Sequence, residues 1–196
     1  AGGTGNGDGV RIMSCQILGG KYNTSDEDAA ARAMEYAADM GAVIASNSWG
    51  NDPGAITTDN TYKVAMSARY VAFNYFMNKK NHTALDGGII VFAGGNESAP
   101  AASYPAAYPD FVSVAATAPD YTPAVYTNYG TGTTISAPGG DQDYYYEYGE
   151  GHNAGAMGCV LSTLPYTVTG EDSPLAGYGY MEGTSMACPH VSAVVA

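Results

Sequence analysis

Two short apolar runs without polar alternation place the strongest constraint on the fold of this chain. They are residues 42–46 (AVIAS) and 88–93 (GIIVFA). A strand that is apolar on both faces has to be covered on both faces, which is typical of a parallel sheet between layers of helices. Helical patterns precede both runs, at residues 25–40, where Gly41 follows as a C-terminal stop, and at residues 61–78. The sequence therefore predicts an α/β domain with a mainly parallel sheet.

The rest of the chain predicts further short elements and one insertion. We expect strands at residues 10–18, 110–116, 134–137 and 159–164, and a C-terminal helix over residues 185–196. Residues 141–158 are rich in Asp, Glu, Tyr and Gly, and we interpret them as an acidic insertion on the surface. Because both ends of the sequence look cut, we expect residues 1–196 to form a single, partial domain.

Composition narrows the class of partner. Hydrophobic residues make up 45% of the 196 residues, which is enough for one sizeable core. No apolar run approaches the roughly 18 residues that a membrane span needs. The net charge is −12 without any basic cluster, so nucleic acid and anionic membrane surfaces are poor partners.

Scarce Lys and 17 Tyr favour a secreted or cell-surface protein. Cys15, Cys159 and Cys188 fit neither a disulfide framework nor a metal-ligand spacing, and we interpret them as small buried residues.

Ser185 is the first residue that could carry chemistry. It lies in the segment EGTSMA at residues 182–187, where a Gly-led turn opens an apolar helix. The unpaired backbone N–H groups of a first helical turn, and the helix dipole, favour negative charge nearby. A serine nucleophile needs such a place, because its oxyanion intermediate must be stabilised at once. The alternative is that Ser185 or Thr184 is only a helix N-cap.

Two strand ends carry the other candidate residues. Asn96 follows the run 88–93 through a Gly pair, and its side-chain N–H groups could donate to an oxyanion; the alternative is a plain Gly-Asn turn. The segment Ser48, Trp49, Gly50 follows the run 42–46 and could pair with a substrate backbone by strand addition. The alternative there is a strand-ending turn in which the Trp side chain covers the core.

These segments, in this order, resemble the subtilisin-like serine peptidases, the subtilase family. Residues 183–192 (GTSMACPHVS) are close to the family's nucleophile signature G-T-S-M-A-x-P-H-V-x-G, with Ala193 in place of the last Gly. Residues 93–96 (AGGN), 103–106 (SYPA) and 136–139 (SAPG) resemble its oxyanion segment and two later motifs. The resemblance implies a subtilisin-like three-layer fold and a cis bond before Pro105.

The resemblance also implies roles for single residues. Ser185 would be the nucleophile, and Asn96 would be an oxyanion donor together with the backbone N–H of Ser185. Two triplets would line the primary specificity pocket: Ser48, Trp49 and Gly50, and Ala93, Gly94 and Gly95. Residues 21–23 fall near the family's second substrate-pairing edge.

Two parts of the family's machinery do not occur in these 196 residues. The family orders its triad as Asp, His, Ser, and neither the acid segment D-[ST]-G nor the base segment H-G-T-H is present. His82, His152 and His190 are poor substitutes by position. We therefore expect a fragment that lacks the N-terminal strands and helices of the fold and is inactive alone. An N-terminal segment of its own, or a second copy, would complete the sheet.

The function predicted from these residues is that of a secreted or surface serine endopeptidase, which hydrolyses peptide bonds through an acyl-enzyme on Ser185. The reaction would need no cofactor, while calcium as a structural ion is an expectation from the resemblance and the acidic charge. The alternative is a non-catalytic subtilase-like module that binds calcium, glycan or peptide through Asp141, Asp143, Glu147, Glu150 and Tyr144 to Tyr146. An α/β-hydrolase esterase needs its Asp and His after the Ser, and we exclude it because so few residues follow Ser185.

Overall fold

The computed structural model describes residues 9–18, 27–80, 86–143, 155–165 and 177–196. The elements, in chain order, are α1 (Glu27–Asp39), β1 (Ile44–Asn47), α2 (Asp59–Ala65), α3 (Ser67–Asn78), β2 (Ile89–Ala93), β3 (Val112–Thr117), β4 (Ile135–Pro138), a short 3₁₀ helix (Gly155–Gly158), β5 (Val160–Thr163), β6 (Tyr178–Met181) and α4 (Thr184–Val195).

Four of the strands form one parallel sheet in the order β1-β2-β3-β4. In the register of this sheet Ser46 pairs with Val91, and Val91 pairs with Val112 on the other side. β5 and β6 form a separate antiparallel pair. All three strand pairings in the four-stranded sheet are parallel, which confirms the predicted α/β class with a mainly parallel sheet. Each parallel pair needs a crossover connection between its strands.

Helices cover both faces of the sheet, and strand β2 shows how. Its residues Ile90 and Phe92 point into a core that contains α1 and α3. Val91 and Ala93 point the other way, into a core beneath α4. Alternate residues of one buried strand thus serve two cores, which accounts for an apolar run without alternation. The result is the expected three-layer arrangement of helix, sheet and helix.

The strand predicted at residues 10–18 is wrong. The segment is irregular, and Ile12 is 92% exposed. A β-branched composition favours a strand only where the backbone finds a partner and the side chains find cover, and residues 10–18 have neither among the described residues. The single helix predicted at 61–78 is also wrong in detail. It is broken into α2 and α3 at Met66, whose backbone is non-helical at φ −116° and ψ 40°.

Other sequence predictions hold or fall outside the described residues. The peptide bond before Pro105 is cis, and Gly41 has the positive φ (89°) of a helix C-terminal stop. Residues 21–23, the start of the helical pattern at residues 25–26, and residues 144–154 of the insertion lie outside the described residues. No disulfide joins the three cysteines, and among them only Cys188 is fully buried. Within the described ranges, no helix has the length and apolar character to cross a membrane.

Candidate active site

The carboxyl ends of β1 and β2 lie side by side, and the N-terminus of α4 meets them there. In the parallel register Asn47, the last residue of β1, pairs with Phe92 near the end of β2. The segments that follow the two strands therefore leave the same edge of the sheet, the edge at which open α/β sheets bind ligands. The sheet thus brings together the three segments that the sequence singled out.

Ser185 stands in the first turn of α4. The N-cap is Gly183, and no side chain caps the helix, so the alternative that Ser185 or Thr184 serves as a side-chain N-cap is wrong. The Ser185 Oγ atom lies 3.4 Å from the carbonyl oxygen of Ser48, which is long for an O–H···O bond. In return, the Ser48 hydroxyl donates to the Ser185 carbonyl at 2.7 Å. The Ser185 hydroxyl is half-buried and only weakly held.

Asn96 has its amide oriented by Thr184. Its Oδ1 atom accepts from the backbone N–H of Thr184 and from the Thr184 hydroxyl, both at 2.8 Å. The Thr184 hydroxyl in turn accepts from the N–H of Gly95 at 3.2 Å. Because only an oxygen can accept from a backbone N–H, this network assigns the amide orientation. The Nδ2 donors of exposed Asn96 therefore face away from Thr184.

The two prospective oxyanion donors flank Gly183. A Cβ atom built at Gly183 would lie 3.5 Å from Asn96 Nδ2 and 3.6 Å from the backbone nitrogen of Ser185. Both nitrogens thus lie close to one point beside the turn. Proximity of two donors is one of the requirements of an oxyanion hole.

Both segments that the sequence predicts to line the specificity pocket are tied by backbone hydrogen bonds to residues 103–104. The N–H of Asn51, next to Gly50, donates to the Tyr104 carbonyl at 2.8 Å. The N–H of Ser103 donates to the Gly94 carbonyl at 2.9 Å. Ser48 and Gly50 are exposed.

The structure separates the predicted pocket residues into two groups. The Ala93 side chain is buried in the core beneath α4, so only its backbone is available to a ligand. The Trp49 ring packs edge-on against Phe92 and Phe73, with centroid distances of 5.2 and 6.3 Å. Its Nε1 donates to Asn47 Oδ1 at 3.2 Å. The interpretation of Trp49 as a cover of the core is therefore confirmed for its side chain.

Asn128 is a residue that sequence reasoning missed. It is 0% exposed, and its Oδ1 accepts from the N–H groups of Glu97 and Ala99 at 3.0 and 2.9 Å. Its Nδ2 lies within donating distance of three acceptors: the Gly94 carbonyl at 3.1 Å, Glu97 Oε2 at 2.8 Å and Ser103 Oγ at 3.2 Å. This one side chain therefore contacts three residues of the segment that carries Asn96: Gly94, Glu97 and Ala99. No local pattern in the sequence signals this role.

Cys188 lies one helical turn beyond Ser185, in the core. Its Sγ atom lies 3.6 Å from the carbonyls of Asn47 and Val91. Burial raises the pKa of the Cys188 thiol, and the neighbouring hydroxyl and backbone groups only partly oppose this rise. The predicted role as a small buried residue is confirmed for this cysteine.

Neither a base nor a metal site is found among the described residues. His190 is exposed on α4, and its Nδ1 atom lies 2.8 Å from the Met186 carbonyl within the same helix. His82 and His152 lie outside the described residues. No group of three or more His, Cys, Asp and Glu side chains in the described ranges could hold a metal ion.

Asp141 does not fit the acidic surface of the binding-module alternative. It is 2% exposed, and its two oxygens accept from the N–H groups of Val125 and Asp143 at 2.8 and 2.9 Å. Its assignment to an exposed acidic surface is wrong, because the carboxylate is buried and bonded to the backbone of Val125 and of its own segment. The surface residues named between 144 and 150 lie outside the described residues.

The fold and the meeting of a first-turn serine with an oriented amide are features of serine-nucleophile enzymes. The chain belongs to the subtilase family, whose sequence model matches residues 1–196. It is 31% identical to the thermophilic serine proteinase of Bacillus sp. (strain AK1) over 189 residues, which are 95% of this chain and 35% of that protein.

Two further comparisons agree. An extracellular protease of Xanthomonas campestris pv. campestris is 37% identical over 108 residues, or 55% of this chain and 15% of that protein. The crystal structure of a lanthipeptide protease has a TM-score of 0.70 at 25% identity and covers 91% of this chain. This chain spans 53% of that solved chain, so about half of such a structure is represented here.

Proposed function

We propose that this chain is part of the catalytic domain of a serine endopeptidase and supplies its nucleophile, Ser185, and an oxyanion donor, Asn96. The observation that carries the proposal is the orientation of the Asn96 amide, whose oxygen is occupied by Thr184 so that its N–H groups are left for a ligand beside the Ser185 turn. Such donors act on the charge that develops in the transition state, where they lower the barrier most.

The proposed reaction proceeds through an acyl-enzyme. Ser185 Oγ forms a bond to the carbonyl carbon of the substrate and gives its proton to a base. The negative charge on the carbonyl oxygen is received by Asn96 Nδ2 and by the Ser185 N–H. The amine leaves with that proton, and water then hydrolyses the Ser185 ester. Peptides or proteins are the proposed substrates, because the exposed backbone beside Ser48 and Gly50 can pair with an extended chain.

These 196 residues contain neither the acid segment nor the base segment of the family. We propose that residues 1–196 alone have no measurable turnover, since loss of the catalytic His in subtilisin costs roughly 2 × 10⁶ in kcat. Strand β1 pairs only with β2 in the described residues, so one edge of the sheet is open there. An N-terminal segment of the same protein, or a second copy, is the proposed occupant of that edge.

We also propose where the protein is located and which ions or cofactors it uses. A secreted or cell-surface protein suits the scarcity of Lys and the name of the extracellular relative. The reaction uses no cofactor, because a hydroxyl and amide donors carry it out. A structural calcium ion is expected only from the family resemblance and the net charge of −12. The thermal midpoint of the full-length protein with and without excess EGTA tests that expectation.

Labelling with a fluorophosphonate tests the central proposal. The full-length product of the gene should take up the probe on Ser185, as located by mass mapping, and Ser185→Ala should abolish both labelling and peptide hydrolysis. Ser162→Ala, at an exposed position in β5, is the matched control and should label normally. A folded full-length protein that hydrolyses no peptide and takes up no probe would refute the proposal.

The role of Asn96 is tested separately. Asn96→Ala should lower kcat about 10²–10³-fold with little change in KM, since the lost donor acts on the transition state. Asn78→Ala, at an exposed position at the end of α3, is the control and should leave kcat unchanged. An Asn96→Ala enzyme with normal kcat would show that another group receives the oxyanion.

A further inference from the structure

Tyr126 connects the two halves of the candidate site. Its hydroxyl lies 2.8 Å from the backbone nitrogen of Gly183 and 2.5 Å from the carbonyl oxygen of Gly140. Its backbone carbonyl accepts from the N–H of Ser98, two residues after Asn96, at 2.8 Å. We propose that the Tyr126 hydroxyl is a positioning group, which fixes the Gly183 turn and thereby the distance between Ser185 and the oxyanion donors.

The direction of the two hydroxyl bonds follows from the chemistry of the partners. A backbone N–H can only donate, so the Tyr126 oxygen accepts from Gly183 and its own proton goes to the Gly140 carbonyl. Burial raises the pKa of Tyr126, and the negative charges of Glu182 and Asp141 act in the same direction. The hydroxyl therefore keeps its proton, and both bonds persist, over the pH range in which a serine peptidase works.

Gly183 is the position at which such support matters. It is the N-cap of α4 with φ 140° and ψ 161°, and no side chain caps the helix. Its N–H has a second acceptor, the Gly139 carbonyl at 3.0 Å. Two acceptors on one N–H restrict the rotation of the turn. Since Asn96 Nδ2 and the Ser185 nitrogen flank Gly183, a rotation there changes their relative position.

Residues 125 and 126 also hold the loop that carries Asn96. Ser98 has a left-handed backbone with φ 53°, which is uncommon for a residue other than glycine. Its N–H is bound to the Tyr126 carbonyl, and its hydroxyl donates to the Val125 carbonyl at 2.7 Å. Residues 125 and 126 are themselves anchored, because the Val125 N–H donates to buried Asp141 at 2.8 Å. Tyr126 is therefore a fixed link from one half of the site to the other.

Removal of the hydroxyl should disturb catalysis more than folding. Tyr126→Phe keeps the ring, and the Gly183 N–H keeps its bond to Gly139, so the domain should still fold. The turn would lose one of its two constraints, and a small misplacement of reacting groups is costly in rate. We expect kcat to fall about tenfold, with KM within twofold of the wild type. Tyr129→Phe, an exposed tyrosine three residues along, is the matched control.

The experiment uses the full-length protein and two readouts, because the inference rests on the proposed function. The first readout is kcat and KM on a peptide substrate, together with the rate of fluorophosphonate labelling at Ser185. The second is hydrogen exchange of the peptide that contains Gly183, measured by mass spectrometry in a Ser185→Ala background. This readout needs no activity. Exchange there should be several-fold faster in Tyr126→Phe than in Tyr129→Phe.

The outcomes separate the two claims. A wild type that neither labels nor hydrolyses peptides refutes the proposed function, and the exchange readout then still decides whether the hydroxyl fixes the turn. A lower kcat with normal KM and faster exchange supports the inference. Unchanged kcat and unchanged exchange overturn it. So does a Tyr126→Phe protein that does not fold, or whose KM rises as much as its kcat falls, because the hydroxyl would then support the domain as a whole.

Discussion

Replacing Asn128 by alanine should destabilise the domain. We expect a larger loss of stability than from truncating any other loop side chain described above. The Asn128 side chain is completely buried and makes four contacts to the segment of residues 94–99 and a fifth to Ser103. Alanine at this position would leave those partners without it in a site too enclosed for the loop to collapse freely. Stability and the geometry of the Asn96 segment should therefore fall together.

The magnitude can be worked out from the exposure of each partner. Glu97 is exposed, so water can replace both of its bonds, and the Gly94 carbonyl keeps the N–H of Ser103 as a partner. The half-buried Ala99 N–H and the buried Ser103 hydroxyl lose a partner that water cannot readily replace. At about 1–2 kcal/mol for each such group, and a small cavity in addition, the loss is about 3 kcal/mol. A loss of this size would lower the thermal midpoint of a domain of about 200 residues by about 6–12 °C, and that of a full-length domain of about twice the size by less.

Thermal and denaturant unfolding of the full-length protein measure this loss. A Ser185→Ala background prevents self-digestion, and Asn78→Ala, at an exposed helix position, should change stability by less than about 0.5 kcal/mol. Asn128→Asp adds a test of sign. It would place a buried carboxylate close to Glu97, which raises the pKa of the new group above its unfolded value. Its penalty should therefore grow as the pH rises from about 4 to 8. An Asn128→Ala protein within 1 kcal/mol of the wild type would refute the reasoning.

Three further outcomes are expected. Gly95→Ala should cost at least about 2 kcal/mol and lower activity, because Gly95 has φ 111° and a Cβ would lie 2.2 Å from Asn128 Nδ2; a normal thermal midpoint would contradict this. Phe73→Ala should lower the free energy of unfolding by about 3–5 kcal/mol, as measured in denaturant, because Phe73 is buried. Val71→Ala, at an exposed position on the same helix, should lower it by less than about 0.5 kcal/mol. Equal losses for the two variants would be inconsistent with the packing. Cys188 should resist iodoacetamide in the folded protein at pH 8, since burial raises its pKa and excludes the reagent; mass mapping that finds rapid alkylation there would show that α4 opens.

The sheet was predictable because burial on both faces leaves a direct mark in the sequence. The run at 88–93 became β2, whose alternate residues enter two different cores. The C-terminal helix, predicted at 185–196, is Thr184–Val195. In both elements the local pattern and the tertiary environment agree, so little beyond the sequence was needed.

The failures have a common physical cause. Residues 10–18 have a strand-like composition, but a strand exists only through its neighbours, and sequence alone does not reveal whether a neighbour is there. The break between α2 and α3 at Met66 belongs to a stretch whose apolar positions follow the helical period only loosely. A weak period predicts a helical region but not its continuity.

The candidate site divides in the same way. Ser185 and Asn96 could be proposed from the sequence because each follows a local pattern, a Gly-led helix start and a strand that ends in two glycines. The residues that orient them were not found, because their partners are remote. Tyr126 and Gly183 are 57 positions apart, and Asn128 and Glu97 are 31 apart. Such pairs come together only through the crossover connections of the sheet.

The two proposed roles, oxyanion stabilisation by Asn96 and nucleophilic attack by Ser185, need different support from the rest of the protein. On the proposed oxyanion side, hydrogen bonds join Asn96 to Thr184, the Tyr126 hydroxyl to Gly183, and the Asn128 side chain to Glu97. On the proposed nucleophile side, the contact that the described residues give to the Ser185 hydroxyl is the one to the Ser48 carbonyl at 3.4 Å. A hydroxyl held so weakly can turn toward a base at little cost, whereas an oxyanion donor has to be fixed before the substrate arrives. We therefore propose that these hydrogen bonds fix the oxyanion donors in advance and that a base outside the described residues accepts the proton.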